Sequence, residues 1–184
     1  SKFNFEYIDL GGGMGIDYEN KKKNLNLQRY SNQINKFLKK YRTKIVFEPG
    51  RTIIGNAGIL ISQIIYIKEG DNKNFIILDA AMNDLMRPAL YDAKHRIIPL
   101  KKTNTKSNKI YEFVGPICES TDKFLTQKKF QRLKEKDFVA ICDVGAYGMS
   151  LSSNYNLRPK ATELLIKNSK IQIIYKRQNL KDLI

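Results

Sequence analysis

Apolar and polar positions alternate at the start of the chain, where Phe3, Phe5 and Tyr7 are separated by more polar neighbours before Ile8 and Leu10. A period of two marks a strand, so this stretch predicts a β-strand that runs into Gly11-Gly12-Gly13-Met14-Gly15. Between residues 25 and 41 the period lengthens: Leu27, Tyr30, Ile34, Phe37, Leu38 and Tyr41 recur at the spacing of one helix face. Residues 44–47 form a short β-run that leads into Glu48-Pro49-Gly50-Arg51. Strand, glycine loop, helix and strand compose a βαβ unit, the element from which parallel sheets and barrels are built.

After Arg51 the pattern becomes mainly that of strands, at 58–67, 75–79, 110–114, 138–142 and 170–176, separated by turn-like clusters. Short helical pieces are expected at 83–86, 162–166 and 180–184. The fold class is therefore α/β followed by mainly β: the end of an α/β domain over residues 1–55, then a β-rich domain over 56–184, with the boundary near 52–58. No internal repeat is visible. Residues 104–108 are polar and aperiodic and read as a mobile loop.

Composition narrows this picture. With 184 residues, 42% hydrophobic and 28% charged, the chain can bury a core and is globular in character. The longest apolar stretch, 53–67, is interrupted by Gly55, Asn56, Ser62 and Gln63, so no membrane span is expected. Two cysteines, Cys118 and Cys142, make no disulfide framework and fit a reducing cytoplasm. A net charge of +15 raises nucleic-acid binding as a class. The lysines are scattered or in short runs (21–23, 39–40, 101–102, 128–129), and no RNA-binding aromatic signature or zinc-ligand spacing accompanies them, so that class is set aside.

The candidate chemistry lies where predicted strands end. Glycines 11–15 can bring backbone N–H groups close to a phosphate, although a glycine cluster after a strand also serves as a plain tight turn. Glu48 and Arg51 sit on the same rim; the carboxylate could hold a protonated ring nitrogen and the guanidinium a phosphate or carboxylate, or the pair could be a surface turn. Arg87 and Tyr91 are four apart, so a helical turn would put both on one side, and a second Arg beside Arg51 would suit a substrate with two carboxylates. Cys118 and Glu119 follow a Gly-Pro turn at the end of the 110–114 run, where a thiol could donate a proton and a carboxylate could read a cation. Alone, such a pair is more often structural. Tyr147 stands among small residues after the 138–142 run and could reach into a site. Tyr155 reads as a packing aromatic, and His95, the only histidine, as an exposed or packed ring.

Taken in order, GGGMG (11–15), EPGR (48–51), DAAMNDLMRPALY (79–91), VGPICES (114–120), GAYG (145–148) and SSNYN (152–156) resemble the bacterial diaminopimelate decarboxylases, pyridoxal-phosphate enzymes with an alanine-racemase-like barrel. The likeness runs over essentially the whole chain but only the C-terminal part of the family's length. It implies the end of a cofactor-binding (β/α) barrel followed by a C-terminal β-barrel or sandwich-like domain.

By this resemblance Gly13 donates backbone N–H to the pyridoxal 5'-phosphate phosphate, with Pro49, Gly50 and Arg51 at the cofactor and Glu48 on its ring nitrogen. Arg51, Arg87 and Tyr91 hold the substrate's distal carboxylate end, and Glu119 its distal ammonium. Tyr147 contacts both cofactor and substrate, and Cys118 protonates the product. Cys118 and Glu119 are implied to complete the site of the other subunit of a homodimer. The product is L-lysine, the end of lysine biosynthesis, and no metal, membrane or nucleic acid is implied. The lysine that holds the cofactor covalently and a histidine that stacks on it lie upstream in the family and have no match here. The chain begins at Ser1 and enters strand-like sequence almost at once, so it is expected to be inactive alone, and a partial barrel would expose apolar surface. Two other readings are a relative acting on ornithine, arginine, lysine or carboxynorspermidine, and a non-catalytic homologue. The Cys-Glu-Ser triplet favours diaminopimelate, since the basic-amino-acid decarboxylases would have Asp after the Cys.

Overall fold

The computed structural model describes residues 5–21, 24–105, 107–128 and 130–184; Phe3, Lys22, Lys23, Lys106 and Lys129 lie outside the described residues. β1 (Tyr7–Asp9) and β2 (Lys44–Val46) pair in parallel, with Tyr7 opposite Lys44 and Asp9 opposite Val46. Parallel neighbours need a crossover, and α1 (Leu27–Lys40) supplies it, so the expected βαβ unit forms. Asn26 starts the helix by accepting the Arg29 N–H on its side-chain oxygen at 2.8 Å, and Lys39 and Lys40 in the last turn oppose the helix dipole. None of the helix's residues is buried. From its apolar face Tyr30 meets Phe47 with ring centres 6.0 Å apart.

The main body is a six-stranded sheet in the order β5-β8-β3-β4-β6-β7. It comprises β3 (Ile59–Glu69), β4 (Asn74–Leu78), β5 (Ile97–Pro99), β6 (Ile110–Val114), β7 (Lys123–Lys128) and β8 (Phe138–Cys142). All pairs are antiparallel except β4–β6. Strand β3 pairs with β8 over its first half and with β4 over its second, and its register slips between Ile64 and Tyr66. An irregularity of this kind bends a strand. The sheet curls as a result: Ile97 on one edge strand and Phe124 on the other share a single core with Ile64, Ile76, Leu78, Tyr111, Phe113, Val139 and Ile141. Alternation explains the sorting, since Tyr111 and Phe113 of β6 point inward while Ile110 faces out.

Two local expectations are corrected. Residues 162–166 are not helical: β9 (Glu163–Lys167) and β10 (Lys170–Tyr175) form an antiparallel hairpin. Residues 83–86 form turns, and the helix, α3, comes later at Arg87–Tyr91, where Pro88 favours a first turn. In the 104–108 stretch, of which Lys106 lies outside the described residues, Arg132 N–H donates to Thr105 O at 2.9 Å and Ser107 N–H to Phe130 O at 2.8 Å. Strands β5 and β7 went unread in the sequence. The last expected helical piece is a single 3-10 turn, Leu180–Asp182. Apolar surface is exposed as expected: Leu164, Ile166, Ile171 and Ile173 of the hairpin, Leu27 of α1 and Ile59, Ile61 and Ile65 of β3 all face out. No helix among the described residues is long and apolar enough to cross a membrane.

Phe113 is fully buried (0% exposed) and meets Phe130 edge-on at 5.1 Å. Phe113→Ala is expected to lower the unfolding free energy by about 3–5 kcal/mol in urea titration, while the exposed Lys68→Ala stays within about 0.5 kcal/mol.

Candidate active site

Because β1 and β2 are parallel, the loops that follow them leave from the same end. The glycine segment takes left-handed backbone at Gly11 (φ +64°) and Gly13 (φ +71°). It is stitched to the next loop by Leu10 N–H donating to Val46 O at 3.0 Å and Glu48 N–H donating to Gly11 O at 2.9 Å. A Cβ at residue 12 would lie 2.5 Å from Glu48 O, so this approach requires glycine. Nothing lies within 4 Å of where a Cβ would stand at Gly13 or Gly50; the Gly50 N–H donates to Glu48 O at 2.9 Å, and the Gly13 N–H has no partner among the described residues. The exposed Glu48 carboxylate has no hydrogen bond or ion pair among the described residues. An open amide beside an unpaired carboxylate suits a ligand with an anionic group at one end and a protonated nitrogen elsewhere.

Glu48-Pro49 leads into α2 (Gly50–Ile54), which carries Arg51, and then a 3-10 turn at Gly55–Ala57. The loop after β8 docks here: Val144 N–H donates to Gly58 O and Gly145 N–H to Gly55 O, both at 3.0 Å. A Cβ on Gly58 would lie 2.6 Å from Gly145 Cα, and one on Gly145 would collide with Ile54 O. Tyr147 follows in left-handed backbone (φ +60°), a sparsely populated conformation for a tyrosine, with its ring about half exposed.

Arg87 and Tyr91 occupy α3 as expected, but they part company. Arg87 is 5% exposed and Tyr91 64% exposed. Arg87 Nη1 donates to Tyr18 Oη at 2.8 Å and to His95 Nε2 at 2.9 Å, and the guanidinium stacks 4.8 Å from the Tyr18 ring centre. His95, 1% exposed, is thus a packed ring, and its Nδ1 lies 2.9 Å from Cys142 O. Burial pushes its pKa down; the Cys142 carbonyl opposes this and the Arg87 charge adds to it. No carboxylate pairs with Arg87 among the described residues.

Cys118 and Glu119 lie exposed beyond the turn that ends β6. Behind them Asp122 is buried. Its carboxylate accepts Ile117 N–H at 2.9 Å and Met82 N–H at 2.7 Å, tying this loop to residues 79–84. Burial raises its pKa, and those two bonds pull it back. Arg158 Nε donates to Asn83 Oδ1 at 2.9 Å and Arg158 Nη2 to Asp79 O, so the same segment is held from a third side. Tyr155 is no mere packing aromatic: its hydroxyl donates to Glu119 Oε1 at 2.7 Å, which pushes the phenol's pKa up.

The predicted residues therefore fall into two groups. Gly13, Glu48, Pro49, Gly50, Arg51, Arg87, Tyr91 and Tyr147 lie on segments joined through the glycine loop, α2, His95 and the end of β8. Cys118 and Glu119 sit with Tyr155 and Asp122. Among the described residues no hydrogen bond, ion pair or ring contact joins Cys118 or Glu119 to the first group. Tyr18, Asp122 and the positional use of His95 and Tyr155 were missed. No periodicity marks them, since each has a partner on another segment: Arg87 for Tyr18, Met82 for Asp122, Cys142 for His95 and Glu119 for Tyr155.

Residues 9–145 match the family described as pyridoxal-dependent decarboxylase, C-terminal sheet domain. The chain is 41% identical over 177 residues to a diaminopimelate decarboxylase of Aquifex aeolicus, covering 96% of this chain and 42% of that protein. Among solved structures it is similar to the Helicobacter pylori diaminopimelate decarboxylase complexed with L-lysine (TM-score 0.87, 43% identity, 97% of this chain and 43% of that one). It is likewise similar to the M. jannaschii diaminopimelate decarboxylase in co-complex with L-lysine (TM-score 0.91, 34% identity, 98% and 42%). The chain thus spans less than half the length of these relatives.

Two outcomes are expected. Gly145→Ala forces the Tyr147 loop away from Ile54 O, and should lower the thermal midpoint and speed amide exchange at Val144 and Gly145. Because His95 has its pKa lowered in the folded state, the unfolded chain binds more protons near neutrality. Its contribution to stability is present above about pH 6.5 and is lost as pH falls through the folded-state pKa. Denaturant titrations stepped downward from neutral pH should show a decline in the native chain that His95→Gln reduces.

Proposed function

We propose that this chain, which belongs to the pyridoxal-dependent decarboxylases through their C-terminal sheet domain, forms the substrate-reading part of an enzyme that converts meso-2,6-diaminopimelate to L-lysine and CO2. The observation that carries this reading is Arg87, a buried cation with neutral partners and no carboxylate among the described residues. An unpaired buried charge is costly, and a substrate carboxylate would relieve it. The names of the relatives supply the particular diacid.

The residues present fit pyridoxal phosphate. The open amide at Gly13 and the backbone of Arg51 would hold its phosphate, with Pro49 and Gly50 setting the turn beside it, and the unpaired Glu48 carboxylate would hold its ring nitrogen. When bound, that cofactor supplies a sink for the electrons left as CO2 departs.

The chain's own residues do the rest. Glu48 keeps a proton on the ring nitrogen. Arg51, Arg87 and Tyr91 receive the distal carboxylate, Glu119 the distal ammonium, and Tyr147 bridges cofactor and substrate. Cys118 Sγ delivers a proton to the carbon that loses its carboxylate. A substrate without the distal carboxylate, such as ornithine or another diamine precursor, would leave the buried Arg87 unpaired, which penalises it.

The separation of Cys118 and Glu119 from the Arg87 group supports a homodimer in which each copy completes the other's site. The domain boundary is placed near residue 55, with 1–55 closing the barrel and 56–184 forming the sheet domain. The covalent lysine would come from the length the relatives have beyond this chain, and the two free cysteines fit action in the cytoplasm.

The test is steady-state assay of a complete polypeptide carrying these residues. Turnover of meso-diaminopimelate is expected to exceed that of ornithine by orders of magnitude. Cys118→Ala should lower kcat by about 10²–10⁴-fold. Equal turnover of ornithine sinks the substrate assignment.

A further inference from the structure

Arginine has only donors, so the contacts around Arg87 fix the chemistry of the ring beside it. Nη1 donates both to Tyr18 Oη (2.8 Å) and to His95 Nε2 (2.9 Å). His95 must therefore accept on Nε2 and carry its proton on Nδ1, where it donates to Cys142 O at 2.9 Å. The Tyr18 ring packs under the guanidinium at 4.8 Å and meets His95 edge-on at 5.0 Å. Both hydrogens of Nη1 are engaged. Nη2 and Nε have no partner among the described residues, and together they are the edge on which a guanidinium grips a carboxylate with two parallel bonds.

We propose that His95 is a positioning residue: its Nε2 lone pair, with the Tyr18 hydroxyl, holds Arg87 so that the Nη2–Nε edge is presented to the substrate's distal carboxylate. This rests on the substrate role given to Arg87 above. The ring is anchored to the carbonyl that ends β8, from which the Tyr147 loop departs, so one imidazole sets Arg87 relative to Tyr147. The groups that face it are Arg87 from α3, Tyr18 from the segment after the glycine loop, and the Cys142 carbonyl and Asp143 carboxylate at the end of β8. A protonated ring could not accept from Arg87 and would set two cations side by side, so the clamp works only with neutral imidazole.

His95 is the only histidine in the chain, so long-range ¹H–¹⁵N spectra of the ¹⁵N-labelled chain report one ring without assignment. At neutral pH the ring should be neutral with the proton on Nδ1, and Arg87→Met, which removes the donor to Nε2 while the Cys142 carbonyl still holds Nδ1–H, should shift the Nε2 nitrogen resonance; an unmoved Nε2 resonance overturns the clamp. An Nε2–H tautomer or an imidazolium overturns the clamp, whatever the substrate. In the complete enzyme His95→Asn keeps a donor near Nδ1 but loses the acceptor, and should raise KM for meso-diaminopimelate by about tenfold or more while kcat changes by less than about threefold. His95→Gln, which restores an acceptor near Nε2, should bring KM back to within about threefold of the native value. Unchanged KM in His95→Asn overturns the positioning role. A native enzyme that does not turn over meso-diaminopimelate overturns the substrate reading instead, while the tautomer still decides the clamp. Should His95→Asn fail to fold, the native spectrum and the Gln variant carry the test.

Discussion

Gly58 and Gly145 approach so closely that neither position can carry a side chain, and two backbone hydrogen bonds cross the contact they make. This is the constraint on which the site depends. On one side lies the segment that follows β2, with Glu48 and Arg51; on the other lies the exit of β8, with Tyr147 and, one residue before the loop begins, the carbonyl that orients His95. A backbone-to-backbone joint has no rotamers, so it fixes the relative placement of these groups more stiffly than a side-chain contact could. The strained φ at Tyr147 is held by the same joint.

Arg87 shows a second economy of design. Burying a guanidinium usually calls for a carboxylate, which would lower its cost but also neutralise it. Here a phenol, an imidazole and an aromatic face hold the cation without cancelling its charge. The resident charge is left uncancelled, and the neutral ring at His95 is what makes the arrangement self-consistent.

Much of this was legible in the sequence, and the exceptions have physical causes. The runs at 110–114 and 138–142 are apolar enough to declare themselves, and both became strands with those bounds. The βαβ unit was visible because a glycine loop separates two clear periodicities. Strand β9 reads as ELLIK, a string with as much helix character as strand; only its pairing with β10 decides the outcome, and pairing is a tertiary fact. Strand β7 buries Phe124 among polar neighbours, which is too faint a signal to stand alone. Motif order singled out Glu48, Arg51, Arg87, Cys118, Glu119 and Tyr147 as candidates. It could not reveal Tyr18, Asp122 or Tyr155 in their working positions, because each acts through a partner that only the fold delivers.

Asp122 gives the molecule a mechanical property. One buried carboxylate grips the amides of Ile117 and Met82, so the loop bearing Cys118 and the turn that precedes α3 form a single lever rather than two hinges. The Cys118 loop and the turn before Arg87 thus share one anchor, although among the described residues no hydrogen bond, ion pair or ring contact joins Cys118 or Glu119 to the Arg87 group.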